Sequence, residues 1–287
     1  MNTATGYRQE LTGVFGFPVD ENPTVVMMEA AFRALNLPWR YLTLKVAPSD
    51  LETGIQGIRA MGFRGLNLTI PHKVNVLQYL DDVTAEARIM GAVNTIYREQ
   101  DRLIGTNTDG KGFMQALHQD AQMEPAGKRF MLLGAGGAAR AIAVELALAG
   151  AAGLEIVNRD ESRARALVTL LKENTQTQVS YRPWKDKVSV PEDIAGLVNA
   201  TSIGLFPDVD AFPNLVFGSL RPGLVVCDVI PNPPRTRFLK EAETRGALTL
   251  GGLGMLVYQG AIAFKLWTGE DAPVDVMKKS LSDEFGF

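Results

Sequence analysis

A chain of 287 residues, 46% of them hydrophobic and 21% charged, with a formal net charge of −3, is long enough for two domains of ordinary size, each with its own core. That balance leaves no basic footprint for nucleic acid. No apolar run reaches membrane length and the opening residues carry no signal-peptide core, so a cytoplasmic, enzyme-like protein is expected. Cys227 is the only cysteine, which excludes an intrachain disulfide, and its apolar neighbours predict a buried strand residue rather than a nucleophile. With His72 and His118 as the only histidines, no His-based metal site is expected.

Taken in order, Thr12 to Pro18 predicts a strand ending in a loop. Thr24 to Leu35 predicts a helix with Val25, Met28, Ala31, Phe32 and Leu35 on its apolar side, and Trp39 to Val46 a second strand. Asp50 to Met61 reads as an amphipathic helix capped by Ser49 and Asp50. Gly65 to Pro71 reads as a strand in which Asn67 and Thr69 share one face, and Pro71 stops it just before Lys73. Helices follow at Lys73 to Leu80 and Thr84 to Met90. A hairpin of Gly91–Tyr97 and Arg102–Thr106 then leads into a helix from Lys111 to Leu117. His72 is expected to face solvent beside Lys73, and His118 to lie on a helix surface.

From Arg129 the pattern changes. Phe130–Leu133 is a short buried-strand run, Gly134, Gly136 and Gly137 form a tight turn, and an Ala-rich helix starts near Ala138 and runs unbroken to Gly150. Such a turn lets backbone amides at a helix start approach a pyrophosphate, and Ala139 is the small residue that keeps helix and strand close. Leu154–Val157 reads as a second parallel strand, with Asn158, Arg159 and Asp160 at its carboxyl end, where a ribose would lie. This predicts a nucleotide site on Gly134, Ala135, Gly136, Gly137 and Ala138. The alternative is a structural βαβ unit without a ligand. A helix at Glu161–Glu173 follows, with strands near Gln178–Tyr181, Gly196–Ala200, Leu224–Val229 and Leu248–Leu250 and a helix at Thr236–Arg245. The Met255–Trp267 tail is apolar on most faces and is expected to return to the first domain.

Gly16-Phe-Pro18, Asn67-Leu-Thr-Ile-Pro-His-Lys73, Gly91-Ala-Val-Asn-Thr95, Gly105-Thr-Asn-Thr-Asp109, the Gly134 loop, Asn158-Arg159, Asn199-Ala-Thr-Ser-Ile-Gly204, Asp228 and Gly252-Leu-Gly-Met-Leu-Val-Tyr-Gln259, in this order and spacing, resemble the shikimate dehydrogenase family along nearly the whole chain. The resemblance implies an α/β fold with an N-terminal α/β substrate domain, a Rossmann-like doubly wound nucleotide-binding domain and a C-terminal helix returning to the first domain. Residues 1–112 and 253–287 would form the substrate domain and residues 113–252 the NAD(P)-binding domain. The implied reaction is hydride transfer between NADP(H) and a secondary alcohol or ketone of a shikimate-like cyclic polyol acid, the shikimate to 3-dehydroshikimate type of aromatic amino acid biosynthesis.

The resemblance further implies Lys73 and Asp109 as the catalytic pair, the lysine exchanging the hydroxyl proton and the carboxylate orienting it. Without it, Lys73 reads as a solvated residue at a helix start and Asp109 as an N-cap. Asn67, Thr69, Asn94 and Gln259 match hydroxyl ligands of the substrate, Thr201, Ser202 and Met255 lie on the nicotinamide side, and Arg159 and Arg163 match the clasp of a 2′-phosphate. Asp160 replaces a threonine there and favours a free 2′-hydroxyl, so NADP is expected with NAD or dual use as the alternative. Two departures fall on the substrate side. Asp20-Glu-Asn-Pro-Thr24 stands where the family usually has His-Ser-x-Ser-Pro: Asn22 and Thr24 can stand in for the serines, but Asp20 and Glu21 would repel a carboxylate. Pro231 stands where the family has a pocket tyrosine. A quinate or other cyclitol dehydrogenase is therefore the alternative, with a non-catalytic, nucleotide-responsive binding protein as the other class. The only partner expected besides the cofactor is a small-molecule substrate, in a monomer or homodimer.

Overall fold

The computed structural model describes residues 7–287; residues 1–6, part of the expected first domain, lie outside the described residues. The chain divides into two compact units, Met1–Thr108 with Gly260–Phe287, and Asp109–Gln259.

Unit one opens with β1 (Glu10–Gly16), α1 (Thr24–Ala34) and β2 (Trp39–Lys45), followed by α2 (Leu51–Met61) and β3 (Gly65–Leu68). Helix α2 buries Leu51, Ile55 and Ile58, one stripe at helical spacing, and ends at Gly62 in the left-handed region. The expected caps do not form. A 3₁₀ turn at Pro48–Asp50 precedes the helix, and Ser49 Oγ donates to Asp50 Oδ1 (3.1 Å) while Asp50 makes no side-chain capping bond. Beyond β3, α3 (His72–Asn75) is a single turn that continues as a 3₁₀ turn rather than one helix to Leu80. A two-residue β4 (Asp82–Val83), α4 (Ala85–Met90) and the antiparallel hairpin of β5 (Thr95–Glu99) and β6 (Arg102–Thr106) complete the series. The strands form one six-stranded mixed sheet in the order β2-β1-β3-β5-β6-β4. Phe15, Leu66, Leu68, Ile96 and Leu103 meet the α2 stripe in the core.

Unit two begins with α5 (Asp109–Gln119), which starts ahead of the expected Lys111 and so makes Asp109 its first residue. Then come β7 (Arg129–Leu133), α6 (Gly137–Leu148), β8 (Gly153–Asn158), α7 (Glu161–Asn174), β9 (Gln178–Pro183), β10 (Ile194–Asn199), β11 (Val225–Asp228), α8 (Arg237–Glu243) and β12 (Leu248–Leu250). All six strands pair in parallel, in the order β12-β11-β10-β7-β8-β9. The chain starts in the middle, winds out to β9, returns beside β7 and winds out to β12, a doubly wound sheet with its switch point between β7 and β10. Sheets covered on both faces need apolar strands throughout, and Phe130, Met131, Leu132 and Leu133 are accordingly fully buried. Cys227 lies in β11 with 1% of its surface exposed, and burial next to Asp228 pushes its thiol pKa well up.

Helix α9 (Gly252–Thr268) crosses the division between the units. In unit two its first turns run against α5 backbone to backbone: a Cβ on Gly112 would lie 2.6 Å from Gln259 N and 2.7 Å from Met255 O, so this position admits only glycine. In unit one its second half stacks Phe264 on Phe32 (ring centroids 5.3 Å apart), and Trp267 Nε1 donates to Ile96 O (2.8 Å). The chain ends in α10 (Val274–Phe285), which buries Met277 and Leu281 and packs on α1. No helix among the described residues is long and apolar enough to cross a membrane.

Candidate functional site

Unit one carries a polar wall at the carboxyl end of β3. Asn67, 6% exposed, accepts from the Tyr41 hydroxyl at Oδ1 (2.8 Å) and donates from Nδ2 to Thr95 Oγ1 (3.0 Å) and Asn94 O (3.3 Å). Asn94 Oδ1 accepts from Thr108 N (2.7 Å) and from Thr95 Oγ1 (3.0 Å), and its Nδ2 donates to Thr108 Oγ1 (3.1 Å). The Thr24 hydroxyl bonds the Tyr41 phenol at the other end, and burial raises the phenol pKa well above its ordinary value. Neutral groups thus satisfy one another from the start of α1 to the loop after β6, and the two asparagines expected to hold substrate are rigidly aimed by it. Thr95 and Thr108 lie in the family-like segments without an expected role and Tyr41 lies outside them; they join through the pairing of Asn67 with Thr95 across β3 and β5, which no local pattern reveals.

Thr69 lies just past β3. Its amide donates to Phe15 O (3.0 Å), and it lines a cavity of about 430 Å³ with Pro18, Val19, Asp20, Glu21, Asn22 and Pro23. Asn22 Oδ1 accepts from Thr24 N (3.0 Å), whereas Thr24 is 5% exposed and is not among the lining residues. Lys73, in α3, is half-buried, and its carbonyl accepts from Val93 N (2.8 Å). His72 does not face solvent as expected: it is 1% exposed, with Nε2 2.9 Å from Val46 O. A carbonyl only accepts, so Nε2 carries the hydrogen, and the ring pins α3 from behind. His118 is on the helix surface, paired with Glu124.

Unit two carries the glycine turn. Gly134 has φ +111°, and a Cβ there would meet Ala200 O at 2.9 Å and Thr201 Cγ2 at 3.0 Å, so the turn after β7 lies directly beside the end of β10 at the switch point. Side chains built on Gly136 and Gly137 would meet nothing within 4 Å, which leaves the amides at the start of α6 open to an anion. Ala139, fully buried, seats the helix on the sheet. The turn has room for a dinucleotide pyrophosphate, which the backbone of Gly134, Ala135, Gly136, Gly137 and Ala138 would hold.

At the end of β8, Asn158 Nδ2 donates to Asp160 O (2.8 Å). Asp160 caps α7 by accepting from Arg163 N (3.0 Å) and also lies 3.4 Å from Arg163 Nε. Its carboxylate is thus engaged by the helix start, while Arg159 is exposed. At the end of β10, Asn199 Oδ1 accepts from Thr201 N (3.2 Å) and Oγ1 (2.6 Å), and Thr201 Oγ1 accepts from Ile203 N (3.1 Å). Asp228, 2% exposed, anchors this turn by accepting from Asn199 Nδ2 (3.1 Å), Ile230 N (3.2 Å) and Thr236 Oγ1 (2.7 Å). Burial outweighs these three donors and raises the Asp228 pKa to about 7. Ser202 is exposed on the same turn; Met255 is half-buried in α9, and Gln259 is 7% exposed with Nε2 donating to Leu256 O (3.0 Å). Asp109 opens α5, half-buried, and Pro231 is half-buried after β11.

Residues 14–96 match the family model described as the shikimate dehydrogenase substrate binding domain, and residues 252–281 that of the shikimate 5′-dehydrogenase C-terminal domain. A shikimate dehydrogenase (NADP(+)) of Desulforamulus reducens is 45% identical over 96% of this chain and 95% of its own length. The ligand-free 5-ketofructose reductase of Gluconobacter sp. strain CHM43 superposes with a TM-score of 0.94 at 48% identity, covering 98% of this chain and all (100%) of that one. A shikimate dehydrogenase in complex with NADP+ superposes with a TM-score of 0.91 at 37% identity, covering 98% of each chain. With a doubly wound sheet, an open glycine turn and identity sustained over almost its full length, the chain belongs to the shikimate dehydrogenase family.

Proposed function

We propose that this protein is an NADP(H)-dependent oxidoreductase that interconverts a secondary alcohol and a ketone on a polyhydroxylated substrate, the shikimate to 3-dehydroshikimate type of reaction. The observation that carries the reading is the open turn at Gly136 and Gly137 at the switch point of a 3-2-1-4-5-6 type sheet, in a chain that retains Lys73 and Asp109. Residues 1–112 and 253–287 would act as the substrate domain and residues 113–252 as the nucleotide domain. When bound, the nicotinamide supplies or accepts the hydride.

Each residue then has a task. Lys73 exchanges the proton of the reacting hydroxyl, and Asp109 orients the ammonium and the same hydroxyl. Asn67, Asn94, Thr69 and Gln259 fix the remaining hydroxyls, the two asparagines held in place by the polar wall. Gly134 to Ala138 hold the pyrophosphate, Thr201, Ser202 and Met255 border the nicotinamide, and Asn158, Arg159 and Arg163 hold the 2′-phosphate. Asp160, engaged as the cap of α7, leaves Arg159 to decide for NADP over NAD. Shikimate and 5-ketofructose, the substrates in the relatives' names, both present an alcohol or ketone next to a hydroxyl-bearing carbon; quinate or another cyclitol is the alternative. The protein is expected to work in the cytoplasm as a monomer or homodimer.

The test is turnover. NADP+ reduction and NADPH oxidation should be measured against shikimate, quinate, 3-dehydroshikimate and 5-ketofructose. Activity should fall by about 10²- to 10⁴-fold in Lys73→Met while NADP+ affinity holds. No turnover in the panel, or an unimpaired Lys73→Met, overturns the reading.

A further inference from the structure

We infer that the substrate site prefers an uncharged polyhydroxy ketone or alcohol over one bearing a carboxylate, and that Asp20 and Glu21 set the preference; this rests on the functional reading above. The loop from β1 to α1 and Thr69 line the cavity of about 430 Å³, and Thr69 lies just past the strand whose Asn67 belongs to the polar wall of unit one. Of the residues that line it, Asp20 and Glu21 are the charged ones, and neither an arginine nor a lysine is among them. Lys45 Nζ lies 3.8 Å from Asp20 Oδ2, but both side chains are more than half exposed (57% and 70%), and water screens such a contact.

The consequence for a ligand is a matter of sign. A carboxylate seated here meets two negative groups without a cation on the lining, whereas a hydroxyl meets acceptors it can donate to. Asn22 spends its carbonyl on Thr24 N, so its amide hydrogens are what it offers a ligand oxygen. One like charge within reach of the ligand across partly solvated space costs roughly a factor of ten in binding.

The experiment compares an acid with its neutral methyl ester. Using the full chain, kcat/KM with NADP+ is measured for shikimate and its methyl ester at low and high salt. NADPH-driven reduction of 5-ketofructose and 3-dehydroshikimate is measured alongside, and everything is repeated in Asp20→Asn, Glu21→Gln and the double variant. The proposal expects the ester to exceed the acid roughly tenfold, salt to raise turnover of the acid but not of the ester, and the double variant to shrink the ester-to-acid ratio by about tenfold. An acid turned over at least as well as its ester, or a ratio unmoved by the substitutions, overturns the proposal while leaving the oxidoreductase reading intact. Absence of turnover with every ligand would remove that reading and the proposal together.

Discussion

Each unit buries polar side chains where strands end, but with different chemistry. In unit one, Thr24, Tyr41, Asn67, Asn94, Thr95 and Thr108 form a wall of hydroxyls and amides with no ionisable group near its titration range. In unit two, Asn199 Nδ2, Ile230 N and Thr236 Oγ1 converge on a carboxyl group, Asp228, whose pKa burial raises to about 7. Neutral groups lose hydration when buried but keep their charge state, so the first cluster keeps its charge state across the physiological range. The second gathers three donors tightly around one side chain and in return titrates within the physiological range.

Removing the centre of each cluster tests the contrast most severely. Asp228→Leu leaves Asn199 Nδ2, Ile230 N and the Thr236 hydroxyl without their acceptor, and thermal unfolding should report a loss of about 3–5 kcal/mol. Asn94→Leu removes the acceptor for Thr108 N and Thr95 Oγ1, for an expected loss of about 3 kcal/mol that stays constant between pH 5 and 8. Tyr41→Phe deletes one donor to Asn67 Oδ1 and should cost about 1 kcal/mol, again without pH dependence; a marked dependence would mean that the wall is not neutral.

The smallest change in stability at neutral pH is the most diagnostic. Asp228→Asn keeps one oxygen for Asn199 and Ile230, and its amide can donate to Thr236 Oγ1, so the expected loss is under about 1 kcal/mol. In the wild type the folded carboxyl holds its proton up to about pH 7, against about 4 when unfolded. The folded state therefore binds more protons between these values. The stability this group contributes is full below about pH 4 and lost as pH rises through about 7, with a slope approaching 1.4 kcal/mol per pH unit. Denaturation curves should show that slope from about pH 5 to 7 in the wild type, levelling off towards pH 8, and its absence in Asp228→Asn.

Much of this was legible in the residues because it was local. The Gly134 turn, the apolar strands of unit two and the stripe on α2 are periodic or positional signals, and all stand where the spacing put them. What escaped depends on partners distant in sequence. His72 follows Pro71 in a polar-looking stretch, yet it turns inward because Val46 O needs a donor there. Strand β4 has only two residues, paired with β6, too few to carry a period. Helix α10 spreads its buried Met277 and Leu281 among charged neighbours, and its apolar face has meaning only against α1. The wall around Asn67 and Asn94 needs the register of β3 on β5: the family-like segments contain Thr95 and Thr108 without marking them as its members, and Tyr41 lies outside them.

The solitary sulfur in β11 gives the protein a native clock. Nothing else in the chain competes for a thiol reagent, and Cys227 is shielded at the strand position just before Asp228. The rate at which an aromatic disulfide modifies it therefore counts excursions in which β11, next to the edge strand β12, is uncovered. No label has to be engineered, and the same trace can be followed with and without nucleotide.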